Sequence, residues 1–131
     1  MDVDFAFLSD AAQESGGKLH AIGIGVDGMV ATEVPAARPL LAVVVQVRYS
    51  VAEIGQKELA IRVVDADGGN VIPPIDSLAE FGEPQPGMSG VARYVIELAG
   101  LAFPHYGDYA IHVAISGHEV ANLPMAVREP A

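Results

Sequence analysis

The sequence predicts an all-β protein: a single antiparallel β-sandwich domain over residues 1–131, immunoglobulin-like or jelly-roll-like, with about seven to nine strands. Three observations carry this. Fourteen Gly and nine Pro punctuate the 131 residues, leaving windows suited to strands of about 4 to 8 residues and few long enough for a helix. Several windows alternate apolar and polar residues with the period of two that a half-buried strand needs. The C-terminal stretch Tyr106–Val127 reads as two such runs joined by a turn at Ser116-Gly117-His118.

In chain order, strands are expected at Val3–Leu8, Lys18–Gly25, Met29–Thr32, Leu40–Tyr49, Leu59–Asp65, Val71–Ile72, Val91–Leu101, Asp108–Ile115 and Val120–Val127. Ser9–Gln13 is the best helical candidate, a single turn that Gly16-Gly17 ends before it can propagate. Residues Ile75–Gly90 carry Gly82, Pro84, Pro86, Gly87 and Gly90 with no sustained period, and proline withholds the donors a central ladder needs, so a long surface loop is expected there. Such a loop either crosses between the sheets or, with Phe81, walls a ligand groove.

The last two strands fix a register. Tyr109, Ile111, Val113 and Ile115 share one face, as do Leu123, Met125 and Val127, so odd positions must meet odd positions. A three-residue turn, Ser116–His118, achieves this without a bulge. Ile111 then faces Leu123, Tyr109 faces Met125, and His112 and Asn122 point to solvent.

Leu40–Tyr49 stands apart from the other strands. Leu41, Val43, Val45, Val47 and Tyr49 form one apolar face, but Leu40, Ala42 and Val44 make the first half apolar on the other face as well. Double apolarity implies cover from a loop, a helical turn or another subunit. A homodimer contact at Leu40, Ala42 and Val44 is one expectation; cover by the 75–90 loop is the other.

Seven Lys and Arg against seventeen Asp and Glu give a net charge of −10, which repels nucleic acid and anionic membrane surfaces and argues against both as partners. The absence of cysteine excludes disulfides and thiolate metal sites. The acidic start Met1-Asp2-Val3-Asp4 lacks the basic region of a secretion signal, and the longest apolar run, Leu40–Val45, is far shorter than the roughly 20 residues of a spanning helix. A cytoplasmic protein without a membrane segment is expected.

The motifs that could carry chemistry are each incomplete. Gly23-Ile24-Gly25-Val26-Asp27-Gly28 matches the dinucleotide-binding fingerprint in letters, yet Met29–Thr32 is strand-like where a helix would have to start. A turn around Asp27-Gly28 accounts for the glycines. Asp65, Asp67 and Asn70 place three side-chain oxygens close together, as a calcium ion would need, but without the late bidentate glutamate of an EF-hand loop; Asp67-Gly68 is also a turn signal in its own right. The histidines His20, His105, His112 and His118 have no metal-ligand spacing. His105 beside Asp108 suggests a base with its orienting carboxylate but lacks a nucleophile, and Gly87-Met88-Ser89-Gly90 departs from the nucleophile-elbow order. No cofactor and no catalytic residue is therefore expected.

Three stretches, Asp4–Ala12, Gly17–Gly25 and Phe103-Pro104 with Gly107-Asp108-Tyr109, together resemble a bacterial family of short β proteins of unknown function, and the resemblance spans nearly the whole chain. It implies a stand-alone protein and carries over no activity. Gly107-Asp108-Tyr109 is also similar to the strand before the last hairpin of immunoglobulin-like sandwiches, where a tyrosine docks on a corner; this concerns fold alone. Three functions follow in order of preference: a non-enzymatic module that self-associates or binds another protein through a sheet face or edge; a small-ligand, carbohydrate-like binding module, weakened by the absence of tryptophan; and a metal-dependent or hydrolytic enzyme.

Overall fold

A computed structural model describes residues 1–131 as ten strands and one 3-10 turn. The strands are β1 (Asp2–Ser9), β2 (Ala11–Ser15), β3 (Lys18–Ile22), β4 (Gly28–Val30), β5 (Ala36–Tyr49), β6 (Gly55–Asp65), β7 (Ile75–Phe81), β8 (Gly90–Phe103), β9 (Gly107–Ile115) and β10 (His118–Arg128); Val51–Glu53 form the 3-10 turn. They build three sheets: three strands in the order β1-β5-β8, five in the order β4-β10-β9-β6-β7, and the two-stranded hairpin β2-β3. Ten strands exceed the expected seven to nine, and one pairing, β4 with β10, is parallel. No helix is long and apolar enough to cross a membrane.

The main core lies between the two larger sheets. From β5 it takes Leu41, Val43, Val45 and Val47; from β6, β9 and β10 it takes Ile61, Val63, Ile111, Val113, Ile115, Met125 and Val127. These are the alternate residues that the period-two pattern marked, buried because every second side chain of a strand shares one face. Near the end of the β5–β8 ladder, Pro39 and Gly100 (φ +65°) interrupt the pairing opposite each other. Beyond them the inward face passes to Ala36, Leu101 and Phe103. Glycine tolerates that left-handed conformation at no steric cost.

The C-terminal hairpin has the expected register: Leu123 pairs with Ile111 and Met125 with Tyr109. Its turn corrects the expectation. Ser116 (φ +50°) and Gly117 (φ +78°) form a two-residue turn of the type that matches strand twist, His118 pairs with Ile115, and a bulge between Glu119 and Ala121 restores the parity. The extra residue sits in the strand instead of the turn. His112 does face outward, its Nδ1 against the Glu119 carboxylate across the hairpin.

Four further expectations are corrected. Ser9–Gln13 is no helical turn: β1 ends at Ser9 and β2 starts at Ala11. Gly16 (φ +62°) and Gly17 (φ +73°) are the two-residue turn of the β2–β3 hairpin, with Ser15 paired to Lys18. Val71–Ile72 is not a strand; Asn70 makes an isolated bridge to Val64, and the Val71 N–H donates to the Val63 carbonyl at 2.8 Å. The 75–90 loop is half strand: β7 runs to Phe81 and pairs along β6, and the breakers all follow Phe81, leaving residues 82–89 irregular. Phe81 is 1% exposed, so it packs the core and walls no groove.

The doubly apolar half of β5 is covered from within the chain. The β2–β3 hairpin lies over it, and Ala12, Ala42 and Val44 form a second small core with Phe5, Phe7, Leu19, Ala21 and Val95 around them. Ala42 and Val44 are fully buried there and Leu40 is half-buried. Neither the 75–90 segment nor a second subunit supplies the cover, which removes the ground for placing a dimer contact on Leu40, Ala42 and Val44. Where β5 turns polar on this face, a bulge at Asp4 in β1 aims its carboxylate at Gln46 Nε2 (2.7 Å) and Arg48 Nε (3.0 Å). Arg93 Nε donates to Gln46 Oε1 at 2.8 Å and its guanidinium reaches Glu14 of β2 at 3.5 Å. The nearly buried Gln46 amide is thus satisfied on both sides, as a buried polar group must be.

Candidate functional site

Three irregular segments meet at one end of the sheets, where β5 passes to β6 through residues 50–54, β7 to β8 through 82–89, and β9 to β10 through Ser116-Gly117. Loops on a rigid β scaffold are where binding residues concentrate. A depression of about 430 Å³ lies between Tyr49 and the 82–89 loop, with Glu80, Glu83, Gln85, Met88 and Ser89 on its walls. A neighbouring one of about 420 Å³ runs from Arg48 and Ser50 to Glu53 and Ser89. Exposed Val51, Met88 and Val91 stand at this same end.

Tyr49 anchors the loop. Its ring stacks on Phe81 at 4.3 Å between centroids, and its hydroxyl donates to the Gly82 carbonyl at 2.5 Å. Gly90 lies against the same ring: a Cβ there would stand 2.4 Å from Cε2. Because stacking and the hydrogen bond pin the ring, Gly90→Ala is expected to destabilise the protein by about 1–3 kcal/mol through overpacking and to loosen residues 82–89. A thermal melt with amide exchange checks both; a wild-type melt would mean that the ring swings aside freely. With one face on Phe81 and Gly90 close by, Tyr49 is a poor platform for stacking a sugar.

At the opposite side of this end, Glu53 accepts from the Ser50 N–H at 3.0 Å. That backbone bond, with the amino terminus beside it, holds its carboxyl below the ordinary glutamate range. The bonds favour the charged form, so their support for the 50–54 turn is present at neutral pH and fades as pH falls through the lowered pKa. A carboxyl titration by NMR should give a midpoint below that of an unconstrained glutamate; an ordinary midpoint would mean that the cap is not held in solution. Burial pushes the Tyr94 hydroxyl up, helped by Tyr49 and Glu80 nearby. That hydroxyl is buried without a hydrogen-bond partner.

The residues singled out in the sequence disperse in the fold. Asp65 Oδ1 accepts from the Asp67 N–H at 2.9 Å and the Gly69 N–H at 2.8 Å, so this carboxylate organises its own turn. No three His, Asp or Glu side chains converge on a metal-sized site. A calcium titration tests the Asp65, Asp67 and Asn70 reading: with Asp65 Oδ1 already held by two backbone N–H groups the melting temperature is expected to stay unchanged, and a rise would support calcium there. Asp108 pairs with Arg128 and not with His105, whose backbone instead meets the Tyr109 hydroxyl. Gly23 (φ +69°) and Gly25 (φ +95°) carry the chain from β3 towards β4, and a strand stands where a dinucleotide site would need a helix. Met88-Ser89-Gly90 leads into strand β8, so the strand-to-helix elbow is absent too. This end has no signature in sequence because three segments far apart in the chain compose it.

No protein of curated function matches the chain in sequence. A family model described as a family of unknown function (DUF6941) matches residues 4–128. With nearly its whole length inside that match, the chain belongs to the DUF6941 family.

Proposed function

We propose that the protein is a non-enzymatic interaction module that pairs first with a second copy of itself, through the free edge of β8. The carrying observation is a contrast between sheet edges. Exposed edges invite pairing unless they are short, bulged, charged or interrupted by proline. β4 has three residues, β7 has seven, and β1 carries Asp2, Asp4 and a bulge. β8 runs from Gly90 to Ala99 without proline or break before the irregularity at Gly100, and only β5 pairs with it.

The centre of β8, Arg93-Tyr94-Val95-Ile96-Glu97, is complementary to itself when read in reverse. Two copies paired antiparallel about Val95 set Arg93 of one opposite Glu97 of the other, twice, as an isologous contact requires. Tyr94 meets Ile96 on the inner face, and two three-stranded sheets become one continuous sheet. Glu97 is exposed and has no ion-pair partner within its own chain. Glu97→Lys places like charges opposite each other, so it is expected to weaken the dimer while leaving the monomer folded. Sedimentation of wild type and variant tests this; a wild-type monomer at high micromolar concentration would refute the reading.

The strand orders also support an immunoglobulin-like wiring for the two large sheets. Variable-type domains add strands beside the G-F-C core of one sheet, which is the arrangement of β10, β9, β6 and β7. The Tyr109 hydroxyl, donating to the His105 carbonyl at 2.8 Å, is the kind of corner such domains carry.

A further inference from the structure

We infer that the β2–β3 hairpin is a hinged cover, able to lift off the β1-β5-β8 sheet as a unit while the core between the two larger sheets stays folded. The hairpin pairs only with itself: its five rungs join Ala11–Ser15 to Lys18–Ile22, and no ladder ties either strand to another sheet. Backbone hydrogen bonds to the body occur just past the hairpin's end, where Gly25 and Val26 N–H groups donate to the Leu8 carbonyl at 2.9 and 3.1 Å. A lone two-stranded hairpin is marginal in water. Its closed position must therefore come from what it covers.

That cover is thin. Ala12 is the only hairpin residue that is buried, with Leu19 and Ala21 half-buried beside it. Two ion pairs clip the cover down, Glu14 with Arg93 at 3.5 Å and Asp10 with Arg38, and the acid of each is well exposed. Both roots can swing: Gly23 and Gly25 hold left-handed conformations on one side, and Asp10 alone separates β1 from β2 on the other. Lifting the hairpin breaks no inter-sheet ladder. It uncovers a continuous apolar face of Phe5, Phe7, Ala42, Val44 and Val95. The double apolarity of β5 is thus the mark of a face that the chain itself can open and close.

Hydrogen exchange on the intact chain tests this. Amides of residues 11–22 should exchange at least about tenfold faster than those of Val43–Val47, since local opening bypasses global unfolding, and added salt should widen the gap by screening the two clips. The chain lacks cysteine, so Ala12→Cys with Ala42→Cys introduces a unique staple. Oxidation should slow exchange in the hairpin alone, and reductant should restore it. Should that staple not form, Glu14→Gln gives an independent readout, accelerating exchange several-fold in the hairpin and nowhere else. Hairpin amides protected as strongly as β5, or all strands responding together, would overturn the inference.

Discussion

Phe103→Ala is expected to remove about 3–5 kcal/mol of stability, in the range for truncating a buried aromatic. Phe103 is 0% exposed and belongs to β8, yet its ring meets Tyr109 of β9 edge-to-face, with centroids 4.8 Å apart and planes at 62°. One contact thus ties the three-stranded sheet to the five-stranded one. Tyr109 cannot follow the retreating ring, because its hydroxyl donates to the His105 carbonyl and accepts from the His105 N–H at 3.0 Å. The cavity stays open, and an unrelaxed cavity carries the full penalty. Against a total of about 5–15 kcal/mol for a domain, this one change brings the fold near its limit. Urea unfolding should show a large drop in midpoint with the slope unchanged. A loss below about 1 kcal/mol would mean that the sheets close over the gap. Tyr109→Phe is the milder companion, at about 1–2 kcal/mol, since exposed His105 can turn to water for its lost partner.

How far the sequence could be read depends on whether a pattern has one solution. The facing of Ile111 with Leu123 was legible because any other register drives an apolar face into solvent. The turn was not, because a bulge at Val120 and a longer turn satisfy the same parity. Double apolarity at Ala42 and Val44 announced that something covers them, but the cover offers a single large apolar residue, Leu19, beside Ala12 and Ala21, set among Gln13, Lys18 and His20, too weak a pattern to name it. At β7 the dense Pro and Gly after Phe81 masked Ala79 and Phe81, whose inward alternation is the strand's only signal. The β8 edge was hidden for a different reason: Val91–Leu101 reads as a strand in any position, and only the strand order shows that one of its sides is free.

Val43→Asp and Val44→Asp, adjacent and both 0% exposed, should part company. Val43 points between the two large sheets, where Ile96 stands beside it across the ladder and the main core surrounds it. An unpaired carboxylate there loses its hydration with nothing in return, a penalty of several kcal/mol, and no local movement brings it to water. Val43→Asp is expected to abolish folding. Val44 points the other way, beneath the hairpin. Its carboxylate reaches solvent once the hairpin lifts, so the loss is capped at the contacts of the cover, about 1–3 kcal/mol, and the main core survives. Circular dichroism should then show Val44→Asp folded, with residues 11–22 exchanging freely and β6 and β9 still protected. If Val44→Asp unfolds as completely as Val43→Asp, the hairpin belongs to the same cooperative unit as the core, and the apolar face of β1-β5-β8 never opens on its own.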